Sequence, residues 1–445
     1  MKRYRLLAAL LFVLALLGII AYVYVQKYRT ATAIPDLTSR SGDPSGEFLN
    51  AQKAATFYRD EIRKHPEVTK NYVLLAQLFL QEARVTARHQ EYIPKASYLL
   101  DQALRRAPDD FEATITKASM LMTLHQFKEA KQLAEKAIAQ NNYNAFSYGV
   151  VSDALIEVGN YDEAVKACDK MLGIRPDLRS YARASYLREL HGEVEGACDA
   201  MKLAANAGVS GQENRAWTLY MLANLYLHSG KLDTAEYIYK GILEERPEYA
   251  NALSGLAQVN IARGKVSEAV ELLSKAAERT PEHIFLEQLA DLYRGTGQSQ
   301  SADGTAKIVL KMFEQHEQGG WNIDREYAMF CANHDMNLEE ALQRAKREYD
   351  RRPDNIDVLD TYAWTLYKNG KASEALPYME RALRLNTRNS VYYYHAGMIH
   401  NAAGQRMNAQ SYLQKSVSLN PYITVLYAEQ ARKTLSTLSN LALKN

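Results

Sequence analysis

The chain has 445 residues, 54 basic residues against 52 acidic ones, and only three cysteines. This length exceeds one ordinary domain, and the near balance of charge excludes the strong positive field of a general nucleic-acid binder. The cysteines are too few and too scattered for a disulfide framework. No short motif of nucleotide-binding, hydrolytic or zinc enzymes is present, so we expect no catalytic site, cofactor or metal.

An uncharged run near the N-terminus is the first predicted element. Residues 6–25, LLAALLFVLALLGIIAYVYV, are long enough to match the thickness of a bilayer as one helix. The charged residues that follow differ from the small-residue site at which a signal peptide is cleaved. We therefore predict an uncleaved transmembrane anchor within residues 1–29. The alternative is a signal peptide whose cleavage leaves a secreted protein.

The flanks of this run indicate the orientation of the anchor. Lys2, Arg3 and Arg5 precede the run, whereas Lys27 and Arg29 follow it. The positive-inside rule therefore predicts a cytoplasmic N-terminus, with the rest of the chain on the periplasmic or extracytoplasmic side. The next stretch, 30–47, is polar and rich in Pro, Gly and Ser, which predicts a flexible tether.

One phrase then recurs along the chain, for example GNYDEAVKACDKMLGIRP at 159–176 and GKLDTAEYIYKGILEERP at 230–247. Its central alanine recurs with a period of about 34 residues, apart from three longer gaps. Glycine stands five residues before seven of these alanines, and proline stands twelve residues after seven of them. Such a period predicts a stacked array of repeats. We call these residues the marker alanines: Ala54, Ala96, Ala130, Ala164, Ala197, Ala235, Ala269, Ala302, Ala341, Ala375 and Ala409.

Each residue type in the phrase has a structural reason. The glycine permits the left-handed turn that ends a first helix. Short polar residues such as Asp162 and Asp233 are expected to cap the second helix. The marker alanine is small because the two helices cross closely there, and the proline ends the second helix because it lacks an N–H. Met336 occupies the glycine position in one weaker repeat. One unit is thus a helical hairpin that buries its apolar face only against its neighbours.

This pattern resembles the tetratricopeptide repeat (TPR). Residues 216–249 match the family pattern at Leu219, Leu222, Ala223, Tyr226, Ala235, Tyr239 and Pro247. Residues 356–389 match it at Leu359, Tyr362, Ala363, Leu366, Ala375, Met379 and Ala382. The resemblance implies an all-α fold, a TPR α-solenoid in which about ten helical hairpins form a right-handed superhelix.

The resemblance also implies the domain organisation. The array would cover residues 48–423, with insertions at 84–92, 205–215 and 313–321 that either bend the superhelix or loop out. Residues 424–445 would form a capping helix and tail, because the open end of a solenoid needs to be shielded.

In TPR relatives the first helices line a concave groove that holds partner segments. Where TPR co-chaperones that grip C-terminal carboxylates need the first lysine of their clamp, this chain has Gly149, Tyr220 and Ser254. An Hsp90-type adaptor is therefore disfavoured. The family's groove positions imply a partner-binding site at Arg179, Arg183, Trp217, Tyr220, Met221, Asn224, Glu326, Tyr327, Phe330, Asp360, Trp364, Tyr367, Tyr394, His395 and Met398.

These observations together predict a non-catalytic, membrane-tethered TPR scaffold that binds a protein or an extended peptide and assembles an envelope complex. No nucleic-acid or small-molecule partner is indicated. The alternative is an accessory subunit that positions a separate enzyme or transporter. Two narrower alternatives also stay open. In the first, the aromatic residues of the groove only pack against neighbouring repeats. In the second, Cys168 and Cys198 form a redox pair.

Overall fold

The computed structural model describes residues 16–18, 34–38 and 46–442. Most of the predicted anchor at 6–25 and most of the predicted tether at 30–47 lie outside these described residues. Among the residues that are described, no helix is both long and apolar enough to cross a membrane. The same residues form helices and turns and contain no strand.

The chain divides into two compact units, Met1–Met120 and Leu121–Asn445. The first unit contains α1 (Gly46–Lys64), α2 (Thr69–Thr86) and α3 (His89–Arg106), and α4 (Phe111–Thr123) spans the division. The helices of the second unit are α5 (Phe127–Gln140), α6 (Ala145–Glu157), α7 (Tyr161–Ile174), α8 (Leu178–Leu190), α9 (Val194–Asn206), α10 (Glu213–His228), α11 (Leu232–Glu245), α12 (Ala250–Ala262), α13 (Val266–Arg279), α14 (His283–Gly295), α15 (Ser299–Gln318), α16 (Asp324–Asn333), α17 (Leu338–Arg351), α18 (Ile356–Lys368), α19 (Ala372–Ala382), α20 (Ser390–Ala402), α21 (Arg406–Leu419) and α22 (Ala428–Ala442).

The marker alanines lie where the helices of each hairpin cross. From Ala96 to Ala409 every marker alanine is completely buried, at 0% exposure. Ala54 alone is only half-buried, on α1. A larger side chain at a fully buried marker would force the two helices apart, at a cost of about 1–3 kcal/mol. The recurring alanine therefore sets the spacing of each hairpin.

Glycine and proline end the helices as the pattern predicts. Gly159 and Gly264, for example, adopt φ of 84° and 74° directly after first helices, a conformation that only glycine adopts without strain. The helices that precede the phased prolines end two residues before them, as at Pro176 after α7. In the repeat where Met336 takes the glycine position, the left-handed residue after the helix is Asp335, with φ 53°.

The predicted capping by short polar residues does not occur in this form. Asp162 and Asp233 lie inside the first turns of α7 and α11, and the cap positions are Asn160 and Lys231, neither of which makes a side-chain cap hydrogen bond. The two carboxylates still favour these helices, because negative charge near a helix N-terminus interacts well with the helix dipole.

Two of the predicted insertions are taken up largely as helix. Residues 84–92 fall mostly in the adjoining ends of α2 and α3, and residues 313–321 extend α15 as far as Gln318. Residues 205–215 instead contain the connection between α9 and α10. Added helical turns lengthen a hairpin and leave the stacking of its neighbours in place.

Hairpins stack one upon another in the second unit. Each first helix contacts its own second helix, as α6 contacts α7, and that second helix contacts the next first helix, as α7 contacts α8. The same order continues to α15 and again from α16 to α21, which is followed by α22 against its surface. Between α15 and α16 the Phe313 ring lies against the Phe330 ring, with ring centres 6.0 Å apart. An all-helical solenoid of stacked hairpins, as the sequence predicts, is confirmed for this unit.

Candidate functional site

The first helices of the second unit carry the predicted site. Several pairs of consecutive first helices contact one another, as α6 with α8, α10 with α12 and α18 with α20. The predicted residues stand at the same few phases before each marker alanine. These phases are mostly three or four positions apart, so their side chains lie on one side of each first helix. We call the resulting surface the first-helix face.

Within the second unit, parts of the chain that are far apart in sequence are joined by hydrogen bonds. The Asn355 side-chain amide donates hydrogen bonds to the carbonyl oxygens of Ile156 and Glu157, each at 3.2 Å. The Ile356 N–H donates to the hydroxyl oxygen of Tyr161 at 2.9 Å, a bond between residues 195 positions apart. The connection before α18 is therefore fastened to the turn between α6 and α7.

Two more contacts of the same kind follow in the next repeats. The Thr387 hydroxyl donates to the Leu190 carbonyl oxygen, and the Asn420 amide donates to the Leu227 carbonyl oxygen at 3.4 Å. We call these three sets of contacts the seam. The seam thus joins turns to connections several repeats later in the chain.

A buried arginine reinforces the seam. Arg352 lies between the carboxylates of Glu157 and Glu348, with its Nε donating to Glu348 Oε1 at 2.5 Å. Its side chain is 6% exposed and that of Glu348 is 2% exposed. A charge buried so deeply is tolerated because it is paired and hydrogen-bonded on both sides.

A small cavity opens beside the seam, but its charges are already balanced. The Asp153 carboxylate is held by Arg183 in a bidentate pair, with N–O distances of 2.6 and 2.9 Å, and the Glu157 carboxylate is held by Arg352. The cavity therefore presents no strong free charge to a ligand. Its volume is about 270 Å³, and it is lined by Met122, His125, Phe127, Asp153, Ile156, Glu157 and Tyr186.

One carboxyl near this cavity has a strongly shifted proton affinity. Burial, assisted by the negative charge of Asp357, raises the pKa of Glu189 to about 7. Asp357 itself accepts a hydrogen bond from the Tyr392 hydroxyl. The first-helix face thus contains a carboxyl that titrates near neutral pH.

Part of the predicted site is accessible. Arg179 is exposed on α8, with its guanidinium 5.4 Å from the Phe146 ring centre. Trp217 on α10 is 37% exposed. Arg183, Tyr220, Met221 and Asn224 are half-buried, and Asn224 accepts a hydrogen bond from Tyr239 at 2.5 Å. We call Arg179 and Trp217, with the half-buried residues beside them, the open part of the first-helix face.

The predicted residues on α16 are held by neighbouring side chains. Burial alone would raise the pKa of Glu326, but the Arg325 guanidinium at 2.9 Å prevails and lowers it to about 2. Tyr327 is buried and donates to Glu340 at 2.8 Å. Phe330 is buried with its ring centre 4.4 Å from that of His334. Of these contacts, the one between Tyr327 and Glu340 joins α16 to α17, the other helix of its repeat.

The predicted residues on α18 and α20 lie in the core. Trp364 is 2% exposed, and Tyr394 and His395 are completely buried. Asp360 pairs with His395 Nδ1 at 2.9 Å. Met398 is buried as well, and Tyr367 is half-buried and stacked on Trp364 with ring centres 4.8 Å apart. In this structure these residues are not available to a partner, and their role in binding stays a prediction.

The residue that covers this region is one that the repeat pattern did not indicate. Tyr427 follows the last repeat, is 6% exposed, and stacks on Tyr394 with ring centres 4.4 Å apart. Its only sequence signal is its apolar neighbours, because the phased positions end at Pro421. The seam was likewise not predicted, since local patterns do not report contacts between parts of the chain so distant in sequence.

The thiols are poorly suited to chemistry. All three cysteines are buried and free, so the redox alternative for Cys168 and Cys198 finds no disulfide in this structure. Burial raises the pKa of Cys168 to about 11 and that of Cys331 to about 12. Thiols that remain protonated at neutral pH are weak nucleophiles. In the part of the chain that the structure describes, no group of three or more potential metal ligands comes together.

Comparisons with known proteins define the class of the repeats. Two family models described as tetratricopeptide repeat match the chain, one at residues 226–289 and the other at residues 147–178 and 391–422. The chain therefore contains tetratricopeptide repeats. Proteins of this fold are generally non-catalytic, protein-binding scaffolds.

Individual relatives are more distant. The chain is 26% identical over 298 residues to Cellulose synthase operon protein C of Pseudomonas fluorescens, covering 63% of this chain and 23% of that protein. It is 24% identical over 207 residues to Anaphase-promoting complex subunit 7 of Arabidopsis thaliana, covering 46% of this chain and 37% of that protein. The chain thus spans well under half the length of these two relatives. A crystal structure of a Thermus thermophilus TPR protein resembles it at 21% identity, with a TM-score of 0.39, over 44% of this chain and all of that one.

Proposed function

We propose that the chain is a non-catalytic scaffold that binds a protein partner, in extended form, on the open part of the first-helix face. The observation that carries this proposal is the exposure of Arg179 and Trp217 on adjoining first helices. Tryptophan and arginine are the residues that most often anchor binding energy at protein interfaces. The surface is already formed, so the scaffold has little ordering entropy to lose when the partner binds.

The exposed residues follow the repeat phase. Each first helix has one position of the first-helix face that comes first along the chain. In successive repeats this position is occupied by Phe146, Arg179, Trp217, Asn251 and Ile284. Of these, Arg179, Trp217 and Ile284 are exposed, and the other two are half-buried. An extended segment crossing these helices would meet one such side chain per repeat, which gives several weak contacts that add up over its length.

The proposal includes the sequence-based tether. The uncharged run at 6–25 would hold the scaffold at a membrane, with the array outside the cytoplasm, where it would assemble an envelope complex. A Cys introduced at Thr30 tests the orientation, because the three native cysteines are buried. We expect a membrane-impermeant maleimide to label it in intact cells, or in spheroplasts if an outer membrane blocks access. Labelling only after the inner membrane is permeabilised would contradict the orientation.

A second function is favoured by one relative. Cellulose synthase operon protein C is named after an operon for polysaccharide synthesis. The chain would then be an accessory subunit that positions a separate enzyme or transporter. Co-purification of a stoichiometric membrane enzyme would favour this function over a general scaffold.

The test of the binding surface is a matched pair of variants. The double variant Arg179→Ala, Trp217→Ala removes both exposed anchors, whereas Tyr237→Ala removes an aromatic side chain that is 80% exposed on the second helix α11. Partner capture from detergent-solubilised membranes would be measured by quantitative mass spectrometry. We expect the double variant to lose at least about tenfold, equivalent to about 1.4 kcal/mol, and Tyr237→Ala to match the wild type. Equal capture by all three proteins would contradict the proposal.

A further inference from the structure

The chain crosses its own first-helix face after the last repeat. Between α21 and α22, residues 421–427 form no helix. At one end, Pro421 Cδ lies 3.4 Å from the position that a Cβ of Gly230 would occupy. At the other end, the Tyr427 hydroxyl donates to Asn333 Oδ1 at 2.5 Å. We call residues 421–438, which comprise this crossing and most of α22, the C-terminal strap.

Tyr427 anchors the strap among aromatic side chains. Its ring stacks on Tyr394 and meets Trp364 edge-on, with ring centres 5.9 Å apart. Asn333 Oδ1 also accepts from Trp364 Nε1 at 2.9 Å, so one amide oxygen joins the strap to α18. His395 Nε2 lies 3.4 Å from the same Tyr427 hydroxyl. The rings of the predicted groove anchors Trp364, Tyr394 and His395 are thus all in contact with one tyrosine of the chain itself.

Val425 makes the second anchor. It packs against the apolar cluster that contains Leu289 and Leu292 of α14. The end of α14 has room for it because Gly295 has no side chain, and a Cβ there would lie 2.6 Å from Val425 Cγ2. The surface beneath the strap therefore fits an aliphatic residue followed, two positions later, by a tyrosine.

The helical part of the strap adds contacts on α20. Gln430 accepts a hydrogen bond from the Tyr394 hydroxyl at 2.8 Å, and Thr434 donates to the Met398 sulfur at 3.8 Å. Ala431 is completely buried and Leu438 is 6% exposed. The occupant of this surface is thus a segment of turns that leads into a short amphipathic helix.

The crossing carries two local costs. Ile423 adopts a left-handed φ of 38°, which is strained for a β-branched residue. The Thr424 hydroxyl oxygen is buried and has no hydrogen-bond partner in the structure, which is unfavourable because its bonds to water are lost. Both costs disappear when the strap leaves the surface. The free energy that keeps the strap in place is therefore smaller than its contacts alone would give.

We infer that the C-terminal strap is a releasable internal occupant of a second binding surface, made by α14, α16, α18 and α20. When the strap leaves, this surface takes a partner segment of the same chemistry, with Val-x-Tyr leading into an amphipathic helix. This inference is separate from the open part of the first-helix face, and neither depends on the other.

The test uses a fluorescent peptide of residues 420–438, NPYITVLYAEQARKTLSTL, and the full chain. In the double variant Val425→Ala, Tyr427→Ala both anchors of the internal strap are lost while the surface beneath is intact. We expect this variant to bind the peptide at least about tenfold more tightly than the wild type. The same peptide with alanine at the position of Tyr427 should not bind. Equal affinity of the two chains for the peptide, or no binding to either, would overturn the inference.

Hydrogen exchange of the unaltered full chain gives a second readout that needs no stable variant. A releasable strap predicts that amides of residues 428–438 exchange at least about tenfold faster than those of α18 and α20. Exchange of the strap in step with α18 and α20 would show that it is a fixed part of the core and would overturn the inference. Light scattering tests whether the strap is exchanged between two copies of the chain. Such an exchange would give a dimer, and it would overturn the inference that the surface binds a partner segment.

Discussion

The first-helix face differs between its open part and the region under the strap, although one repeat pattern generates both. On α8 and α10 the face leaves Arg179 and Trp217 exposed. On α18 and α20 other predicted residues of the same face, among them Trp364 and Tyr394, are buried beneath Tyr427. The repeat phase determines on which side of a helix a residue lies. Its accessibility depends on which distant part of the chain returns to cover it.

The largest expected effect comes from the two tryptophans. Trp364→Ala should lower the free energy of unfolding by about 3–5 kcal/mol, because it leaves a large cavity and removes the partner of Asn333. Trp217→Ala should lower it by less, about 1–2 kcal/mol, because Trp217 is 37% exposed and therefore loses less buried area. Urea unfolding followed by circular dichroism would measure both. Similar losses of stability for the two variants would contradict the difference between the open part of the first-helix face and the region under the strap.

The seam is tested by two glycines with the same backbone conformation. Gly159 and Gly264 have φ of 84° and 74°, so alanine costs each about 1–2 kcal/mol of backbone strain. A Cβ on Gly159 would also lie 2.2 Å from the Asp354 carbonyl carbon, whereas a Cβ on Gly264 meets nothing within 4 Å. Gly159→Ala should therefore cost about 1–3 kcal/mol more than Gly264→Ala.

Thermal unfolding of both glycine variants would show the difference. Equal melting temperatures would mean that the connection before α18 does not lie against the turn after α6. The contacts of the seam would then be incorrect, whereas the stacking of neighbouring hairpins would be unaffected.

A further expected effect, similar in size to the difference between the glycine variants, is a pH dependence from Glu189. Its pKa is about 7 in the folded chain and about 4.3 when unfolded, so the folded state binds more protons between these values. Stability should therefore fall as the pH rises from about 4.3 to 7 and then stay level. Glu189→Gln should remove this part of the fall, with a gain of roughly 1–3 kcal/mol at pH 8 and almost none at pH 4. Glu193→Gln, at an exposed position nearby, is the control and should leave the pH profile unchanged.

The fold could be predicted from the sequence because its determinants are local and recur. The marker alanines lie at the buried crossings, and Pro176 and Gly159 mark helix ends where the pattern placed them. The exceptions are local too. Asp335 takes the left-handed turn in place of its neighbour Met336, since a short polar residue tolerates that conformation better.

The candidate site could be predicted only in part. Phase placed Arg179 and Trp217 on the first-helix face, and the structure leaves them exposed. The same reasoning treated Trp364 and Tyr394 as surface anchors, because nothing in their own repeats reveals Tyr427. Trp364 and Tyr394 are buried by a segment that lies well downstream. A repeat pattern describes local structure only and does not encode such a distant contact.

Site-specific photo-crosslinking in cells tests the central claim most directly. A photoreactive amino acid at position 217 lies in the open part of the first-helix face, and one at position 434 lies on the strap, next to Met398. The account predicts that position 217 crosslinks to another protein, while position 434 crosslinks to the Met398 peptide of the same chain. Crosslinks from position 217 only within the chain, together with no crosslink between position 434 and the Met398 peptide, would contradict it.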